Sequence, residues 1–316
     1  MTAALHTAGS TTLRGVIPPL VTPLTPEGHL DVPSLERVID HHLAGGVDGL
    51  FVLGSSGEVA YFEDEMREAV LTAAIRIVDG RVPVLAGCID MQTRRVLAHA
   101  RRAEELGAAG VVVTAPFYAI TGPEEIEAHF RAIGAATDLP LFAYDLPVCV
   151  HVKLDGAMLV RLGSEGVLAG VKDSSGDDVA YRRLIAANRA AGSPLVLLTG
   201  HEVVVDGTYL AGGDGSVPGL GNVDPAGYVR LDRAARAGDW DAVRLEQDRL
   251  AALFEIVFAV EGKTGPAAGV GAFKTALWLM GIFDTNTMSA PMTALEGANI
   301  ERVRAVLASL EIPMVR

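Results

Sequence analysis

Lys172 is one of four lysines in a chain that has 26 basic residues, and it lies where a reactive amine would be useful. It ends the apolar run 167–172 and precedes the polar segment 173–177, so we predict that it lies at the C-terminal end of a buried strand. A lysine amine desolvated by apolar walls loses its preference for the charged form and can form a Schiff base with a carbonyl compound. The position alone equally fits a lysine that merely extends to solvent.

Two further polar segments follow apolar runs. Residues 54–58 read Gly-Ser-Ser-Gly-Glu, and the hydroxyls of Ser55 and Ser56, with free backbone N–H groups, could bind a carboxylate. A small-residue turn that caps a helix is the commoner meaning of such a segment. The turn lacks the Gly-Lys-Ser/Thr of a phosphate loop, so we do not predict nucleotide binding.

Tyrosines follow two other apolar runs. Tyr144 ends the run 141–144, where a phenol could move protons to and from a substrate oxygen, and Tyr118 follows the run 110–114. Tyr144 fits a packed rim aromatic equally well, and Tyr118 alone suggests little more than packing. His201, with Glu202, follows the run 195–199, and we predict that His201 lines a pocket. Structural histidines are favoured over a metal site at the remaining helical positions, which lack ligand spacing: His41, His42, His99 and His129.

Short apolar runs alternate with amphipathic segments about eight times along the chain. This pattern predicts a (β/α)₈ TIM barrel over residues 13–237 and a C-terminal helical extension packed on it over residues 238–316. An open doubly wound sheet is the alternative, although no G-x-G-x-x-G follows the first strand. The predicted strands are 15–21, 49–53, 82–87, 110–114, 141–144, 167–172, 195–199 and 215–217. The predicted helices are 32–44, 63–78, 93–106, 123–136, 177–190, 224–237, 240–260, 271–280 and 300–310.

The composition limits the possible partners. A net charge of −13 with no basic face argues against nucleic-acid binding, and no apolar stretch is long enough for a membrane span. No signal peptide is evident, and Cys88 and Cys149 suggest reduced thiols, so we expect a cytoplasmic protein. The glycine-rich segment 212–222 could form a barrel phosphate site, but Pro218 lacks a donor, so we favour a tight strand with close backbone packing.

These segments together resemble the dihydrodipicolinate synthase and N-acetylneuraminate lyase family of pyruvate-dependent class I aldolases, from about residue 13 to the C-terminus. The motifs that carry the resemblance are Val-Thr-Pro at 21–23, Gly-Ser-Ser-Gly-Glu at 54–58, Pro-Phe-Tyr at 116–118, Tyr-Asp-Leu-Pro at 144–147 and Gly-Val-Lys-Asp-Ser at 170–174. The resemblance implies that Lys172 forms the Schiff base and Tyr144 shuttles protons. It also implies that Ser55 and Tyr118 complete a proton relay, with Tyr118 given across a dimer interface, and that Ser56 with neighbouring amides binds the pyruvate carboxylate.

The same resemblance implies a homotetramer that needs no metal or organic cofactor. We place Gly57, Val217, Cys149 and Asp145 with Ser56 in the predicted substrate-binding set. At the position of Cys149, the synthase has an arginine that binds the carboxylate of aspartate semialdehyde. A cysteine cannot form such a bidentate contact. We therefore expect a pyruvate and aldehyde lyase acting on a 2-keto-3-deoxy sugar acid or a 4-hydroxy-2-oxo acid. The alternatives are the synthase itself, a sugar-acid dehydratase, or a non-catalytic protein that binds 2-oxo acids.

Overall fold

Eight parallel strands form a closed barrel in a computed structural model that describes residues 13–316. The hydrogen-bonded order runs from β2 (Leu50–Val52) through the strands in sequence to β8 (Gly215–Ser216), which pairs with β1 (Gly15–Val16). The barrel closes between the segment after β1 and β2, where the N–H of Phe51 donates to Pro18 O at 3.0 Å and the N–H of Leu20 donates to Phe51 O at 2.8 Å. The predicted TIM barrel is confirmed, and the doubly wound alternative is wrong because an open sheet would not close.

The elements alternate as the sequence pattern predicts. The remaining strands, β3 to β7, are Val84–Gly87, Gly110–Thr114, Leu141–Asp145, Gly170–Asp173 and Val196–Thr199. The helices, α1 to α12, are Val32–Gly45, Asp64–Val78, Thr93–Leu106, Pro123–Gly134, Pro147–Val150, Gly156–Ser164, Asp178–Ala190, Val205–Ala211, Pro225–Ala237, Trp240–Phe258, Pro266–Leu279 and Ala298–Ser309.

Local signals explain where a typical helix begins and ends. The side chain of Asp31 caps α1 by accepting a hydrogen bond from the N–H of Ser34, and Gly46 ends the helix with φ 83°. Between these caps, Leu35, Val38 and Ile39 are fully buried on one face. The helix therefore packs against the barrel along the stripe that its periodicity predicts.

The sequence-based boundaries differ from the structure in several places. β1 stops at Val16 instead of residue 21, because Pro18 and Pro19 cannot donate hydrogen bonds to a ladder. Three helices, α5, α6 and α8, lie outside the predicted set, although Asp155 caps α6 through the N–H of Met158. The helix predicted to begin at residue 271 begins at Pro266, since proline fits the first turn of a helix.

The glycine-rich segment near β8 packs closely, as predicted. A Cβ atom at Gly215 would overlap the backbone of Gly15 in the paired strand. A short 3₁₀ turn, Gly219–Asn222, follows β8 and closes the segment. The absence of a side chain at Gly215 therefore lets β1 and β8 approach and complete the barrel.

Three helices, α10 to α12, follow the barrel and pack on one another and on α9. Their division from the barrel at residues 237 and 238 as a separate unit stays a prediction. Across residues 13–316, the structure has no helix long and apolar enough to cross a membrane. Cys88 is buried and Cys149 is exposed, and neither forms a disulfide.

Candidate active site

Lys172 and Tyr144 lie side by side in the barrel. The two residues are register partners on β6 and β5, and the Nζ atom of Lys172 is 4.2 Å from the centre of the Tyr144 ring. Lys172 is 4% exposed and Tyr144 is 3% exposed. Nζ also lies 4.8 Å from the centre of the Phe51 ring. The amine thus sits between two aromatic faces with little access to water.

Phe51 connects this amine to the turn at residues 54–58, and sequence reasoning missed its role. A Cβ atom at Gly54 would meet the Phe51 ring, so the turn rests on the same aromatic side chain that contacts Lys172. The ring of Phe51 also meets the Tyr144 ring edge to face, with centroids 6.3 Å apart. Its position near the end of β2, a strand that points at the barrel mouth, was the available signal.

The turn at 54–58 presents free polar groups. The N–H of Gly57 donates to Gly54 O at 3.0 Å, and the Oγ1 atom of Thr22 donates to Gly57 O at 2.9 Å. Within residues 13–316, Ser55 and Ser56 have no hydrogen-bond partner for either the hydroxyl or the backbone N–H. These serine donors are therefore available to an anion, whereas the N–H of Gly57 is already engaged.

Asp145 is fully buried and belongs to a separate charged cluster. Its carboxylate pairs with the ammonium of Lys153, which also lies 3.0 Å from the carboxylate of Asp173. Side chains alternate along a strand, so Asp145 and Asp173 point away from the face that carries Tyr144 and Lys172. The structure thus does not bring Asp145, predicted to bind substrate, together with the Lys172 amine.

The pKa of Asp145 is raised from 3.8 to about 6, because burial outweighs the nearby positive charge of Lys153. A raised pKa means that this group stabilises the fold below about pH 4, and that its contribution is lost as the pH rises towards 6. We expect Asp145→Asn to reduce the fall in the free energy of unfolding between pH 4 and pH 7 by on the order of 2 kcal/mol. Urea unfolding of both proteins at several pH values measures this difference. Identical pH profiles would contradict it.

The side chains of Glu202 and His201, which follow the end of β7, have different partners. The carboxylate of Glu202 accepts a hydrogen bond from the N–H of Leu220 at 2.5 Å. Its pKa is raised to about 7 because the carboxyl is desolvated, an effect that backbone hydrogen bonds and the charge of Lys172 partly oppose. The ring of His201 instead lies 3.1 Å from the carboxylate of Asp178 at the surface. His201, the predicted pocket residue, thus lies at the surface on Asp178, whereas Glu202 interacts electrostatically with Lys172.

Three other predicted residues lie in different surroundings. Tyr118 is 89% exposed and has a left-handed backbone with φ 72°, so its phenol extends away from its own barrel. Val217 is buried, and its N–H donates to Thr199 O at 2.7 Å. Cys149 is exposed in the short helix α5. Within one chain, the structure brings together Lys172 and Tyr144 but leaves Tyr118 outside.

The histidines in the helices make the structural contacts that were predicted for them. His42 is buried, and its Nδ1 atom lies 2.6 Å from Val38 O. Desolvation lowers the pKa of the His42 ring to about 3. His129 lies between Thr114 O and the hydroxyl of Thr93. Among the residues that the structure describes, no group of three or more His, Cys, Asp or Glu side chains is arranged to hold a metal ion.

Comparison with known proteins agrees with this geometry. The model of the dihydrodipicolinate synthetase family matches residues 12–310. The chain belongs to this family. It is 32% identical over 295 residues to a 4-hydroxy-tetrahydrodipicolinate synthase from Phenylobacterium zucineum, covering 93% of this chain and 96% of that one.

Two further similar proteins carry different names. An uncharacterized DapA-like lyase from Halobacterium salinarum is 34% identical over 300 residues, covering 94% of each chain. YagE, a prophage protein of E. coli K12 solved in complex with pyruvate, superposes with a TM-score of 0.90 at 28% identity, covering 96% of this chain and 100% of that one. The family thus includes proteins with different names, and membership alone does not fix a substrate.

Proposed function

We propose that this protein is a Schiff-base lyase that cleaves or forms a carbon–carbon bond between pyruvate and an aldehyde. The observation that carries the proposal is the buried Lys172 amine packed on the Tyr144 ring, beside a turn with free donors at Ser55 and Ser56. The structural similarity to YagE in complex with pyruvate supports the same ligand. Residues of this chain supply every role in the proposed chemistry, so no metal or organic cofactor is assigned.

The proposed reaction begins when the neutral amine of Lys172 attacks the C2 carbonyl carbon of a 2-oxo acid. A carbinolamine forms, and loss of water gives an iminium that links Nζ to C2. In the cleavage direction, the C4 hydroxyl loses its proton and the C3–C4 bond breaks to release the aldehyde. The bonding electrons move into the enamine, the positive nitrogen being their acceptor. Protonation of the enamine and addition of water then release pyruvate and the free amine.

Three residues are assigned to proton transfer and one turn to carboxylate binding. Tyr144 would exchange the proton of the C4 oxygen, and Ser55 would pass it to Tyr118. The hydroxyl of Ser56 and the free N–H groups of Ser55 and Ser56 would hold the C1 carboxylate and orient the substrate over Nζ. Because the phenol of Tyr118 points into solvent from its own chain, the proposal places it in the site of a second copy, in a homodimer that pairs into a tetramer.

The substrate class follows from the barrel mouth. Cys149 cannot form the bidentate contact that an arginine makes with a second carboxylate, which favours an uncharged, hydroxylated acceptor end. Glu202, with a pKa near neutrality, can donate or accept a hydrogen bond to a hydroxyl group. We therefore propose a 2-keto-3-deoxy sugar acid or a 4-hydroxy-2-oxo acid as the substrate.

The synthase activity is the second candidate, because the Phenylobacterium relative carries that name. It predicts condensation of pyruvate with aspartate semialdehyde despite Cys149. A coupled reductase assay measures that condensation directly, and consumption at a rate above that for any sugar acid would favour the synthase. Release of a 2-oxo product without any aldehyde would instead indicate a dehydratase.

The proposed function is tested by reducing a mixture of the protein and pyruvate with borohydride and mapping the added mass by peptide mass spectrometry. Hydride addition to the iminium carbon converts it to a stable secondary amine, so we expect one adduct on Lys172. The three other lysines serve as internal controls within the same digest. A folded sample with no adduct on Lys172 would contradict the proposal, and binding without turnover across a panel of substrates would indicate a non-catalytic protein.

Tyr144→Phe separates proton transfer from imine formation. The substitution removes only the hydroxyl and keeps the ring that packs against Lys172. We expect kcat to fall by about 10²- to 10⁴-fold, the usual contribution of a positioned acid or base. The borohydride adduct on Lys172 should still form. Loss of the adduct together with the rate would show that the ring position, and not the hydroxyl, was disturbed.

A further inference from the structure

A buried ion pair connects the turn at 54–58 to the C-terminal helices. Lys274 in α11 and Glu58 both have side chains that are 0% exposed, and the ammonium of Lys274 contacts the carboxylate of Glu58. The second oxygen of Glu58 accepts a hydrogen bond from the N–H of Ser289 at 2.7 Å, and Lys274 donates to Thr287 O at 2.8 Å. Among residues 13–316, the C-terminal segment therefore supplies both polar partners of the Glu58 side chain, the Lys274 ammonium and the N–H of Ser289.

The backbone at Glu58 explains why the turn needs such a contact. Glu58 has φ 62° and ψ 24°, a left-handed conformation that is strained for an ordinary L-residue and suits glycine better. Its N–H donates to Ser55 O at 3.1 Å, so this conformation folds the turn back over the two serines. The strained backbone and the buried charge of Glu58 both destabilise the fold. The side-chain contacts of Glu58 offset that cost.

The ion pair itself is a poor source of stability. Desolvating two charges roughly cancels their attraction, and well-packed apolar residues in place of a buried pair are often as stable. Desolvation lowers the pKa of Lys274, while the charge of Glu58 opposes that shift. An apolar pair, however, would not supply the directional polar contact between α11 and the turn.

We propose that Glu58 and Lys274 are positioning residues, which hold the backbone of the turn so that the donors of Ser55 and Ser56 converge on the substrate carboxylate. The inference rests on the proposed function, in which this turn binds the C1 carboxylate. It assigns a role in substrate binding to α11, a helix outside the eight β/α units. Neither side chain touches the reacting atoms, because both are enclosed between the turn and α11.

The test uses the double variant Glu58→Gly with Lys274→Met in the full-length protein. Glycine accepts the left-handed backbone, and methionine fills the volume of the lysine stem, so both charges leave together. We expect the pyruvate concentration that gives half-maximal borohydride trapping on Lys172 to rise about tenfold or more. At saturating pyruvate the borohydride adduct on Lys172 should still form. The fold-change in kcat should be smaller than the fold-change in the KM for pyruvate.

Trapping of acetone separates a loss of carboxylate binding from damage to the Lys172 amine. It forms an imine with the same amine but has no carboxylate for the turn to bind. We expect its trapping rate on Lys172 to stay within about twofold of wild type in the double variant. Equal losses for acetone and pyruvate would show damage to Lys172 itself and would overturn the positioning role.

Thr275→Val is the matched control, because it lies next to Lys274 in α11 and is also fully buried. Its hydroxyl accepts a hydrogen bond from Asn286 at 3.1 Å and makes no described contact with the turn. It should lower the melting temperature without raising the KM for pyruvate. If the double variant does not fold, Glu58→Gln keeps the side-chain size and is expected to raise the KM about threefold.

The outcomes separate the two proposals. Wild-type protein without an adduct on Lys172 would defeat the proposed function before the pair is considered. An adduct in the wild type, together with unchanged half-saturation in a folded double variant, would defeat the positioning role alone. A raised half-saturation for pyruvate with unchanged acetone trapping is the expected result.

Discussion

Lys172→Met is expected to lower kcat by about four orders of magnitude or more while leaving the barrel folded. The thioether has nearly the length of the lysine stem and fills the space between the rings of Tyr144 and Phe51, but it cannot attack a carbonyl carbon. Removing a group that forms a covalent intermediate has effects of this size in other enzymes. Steady-state kinetics and the melting temperature, measured on the same preparation, provide the rate and the control for folding.

Lys172→Arg is the matched control for charge. Arginine keeps a positive charge beside Tyr144 but does not give up its proton, so it should be as inactive as methionine. Restored turnover in the arginine variant would mean that the charge at this position matters and the amine does not. Turnover surviving in both variants would end the Schiff-base mechanism.

Lys153→Met is expected to lower the free energy of unfolding by about 3 kcal/mol at pH 8, the scale seen when a buried ion pair loses one partner. The substitution leaves the carboxylates of Asp145 and Asp173 buried next to each other without a cation. Urea unfolding followed by circular dichroism measures the change. The loss should be smaller at pH 5, where Asp145, with its raised pKa, is largely protonated.

Two further variants identify the cause of that loss. Asp145→Asn combined with Lys153→Met removes one charge of each sign and should recover much of the lost stability. Lys263→Met changes a half-buried lysine whose described hydrogen bond is to Thr293 and which has no carboxylate partner among residues 13–316, and it should stay within about 0.5 kcal/mol of wild type. A loss in the Lys153 variant that is the same at pH 5 and pH 8 would show that lost packing, and not unpaired carboxylates, is responsible.

The sequence was informative where the signal is local. The apolar runs before Lys172 and Tyr144, in consecutive β/α units, were sufficient to place both residues at adjacent strand ends. Their register as direct partners is seen only in the structure. Alternation along a strand also places Asp145 on the face opposite Tyr144, and that pattern was legible from the sequence. The prediction that Asp145 binds substrate rested on the motif and did not take this alternation into account.

The contacts of Glu58 illustrate what the sequence could not provide. Glu58 and Ser289 are separated by 231 positions, and no local pattern couples a turn after β2 to the segment after α11. Helical periodicity identifies the apolar face of α11 but not the partner of the charge that Lys274 carries within it. Tyr118 is a second example, because its predicted place in a relay depends on another copy of the chain, which one sequence does not describe.

The contacts between Glu58 and the segment that holds Lys274 and Ser289 also set an order of assembly. A ribosome completes the turn at 54–58 early and releases the helix that anchors it only after all eight strands have been made. Until then the growing chain carries Glu58 with neither Lys274 nor the N–H of Ser289 to contact it. If Glu58 and Lys274 position the turn as proposed, the carboxylate site is complete only with the last fifth of translation, on the order of seconds after the eight strands have been made.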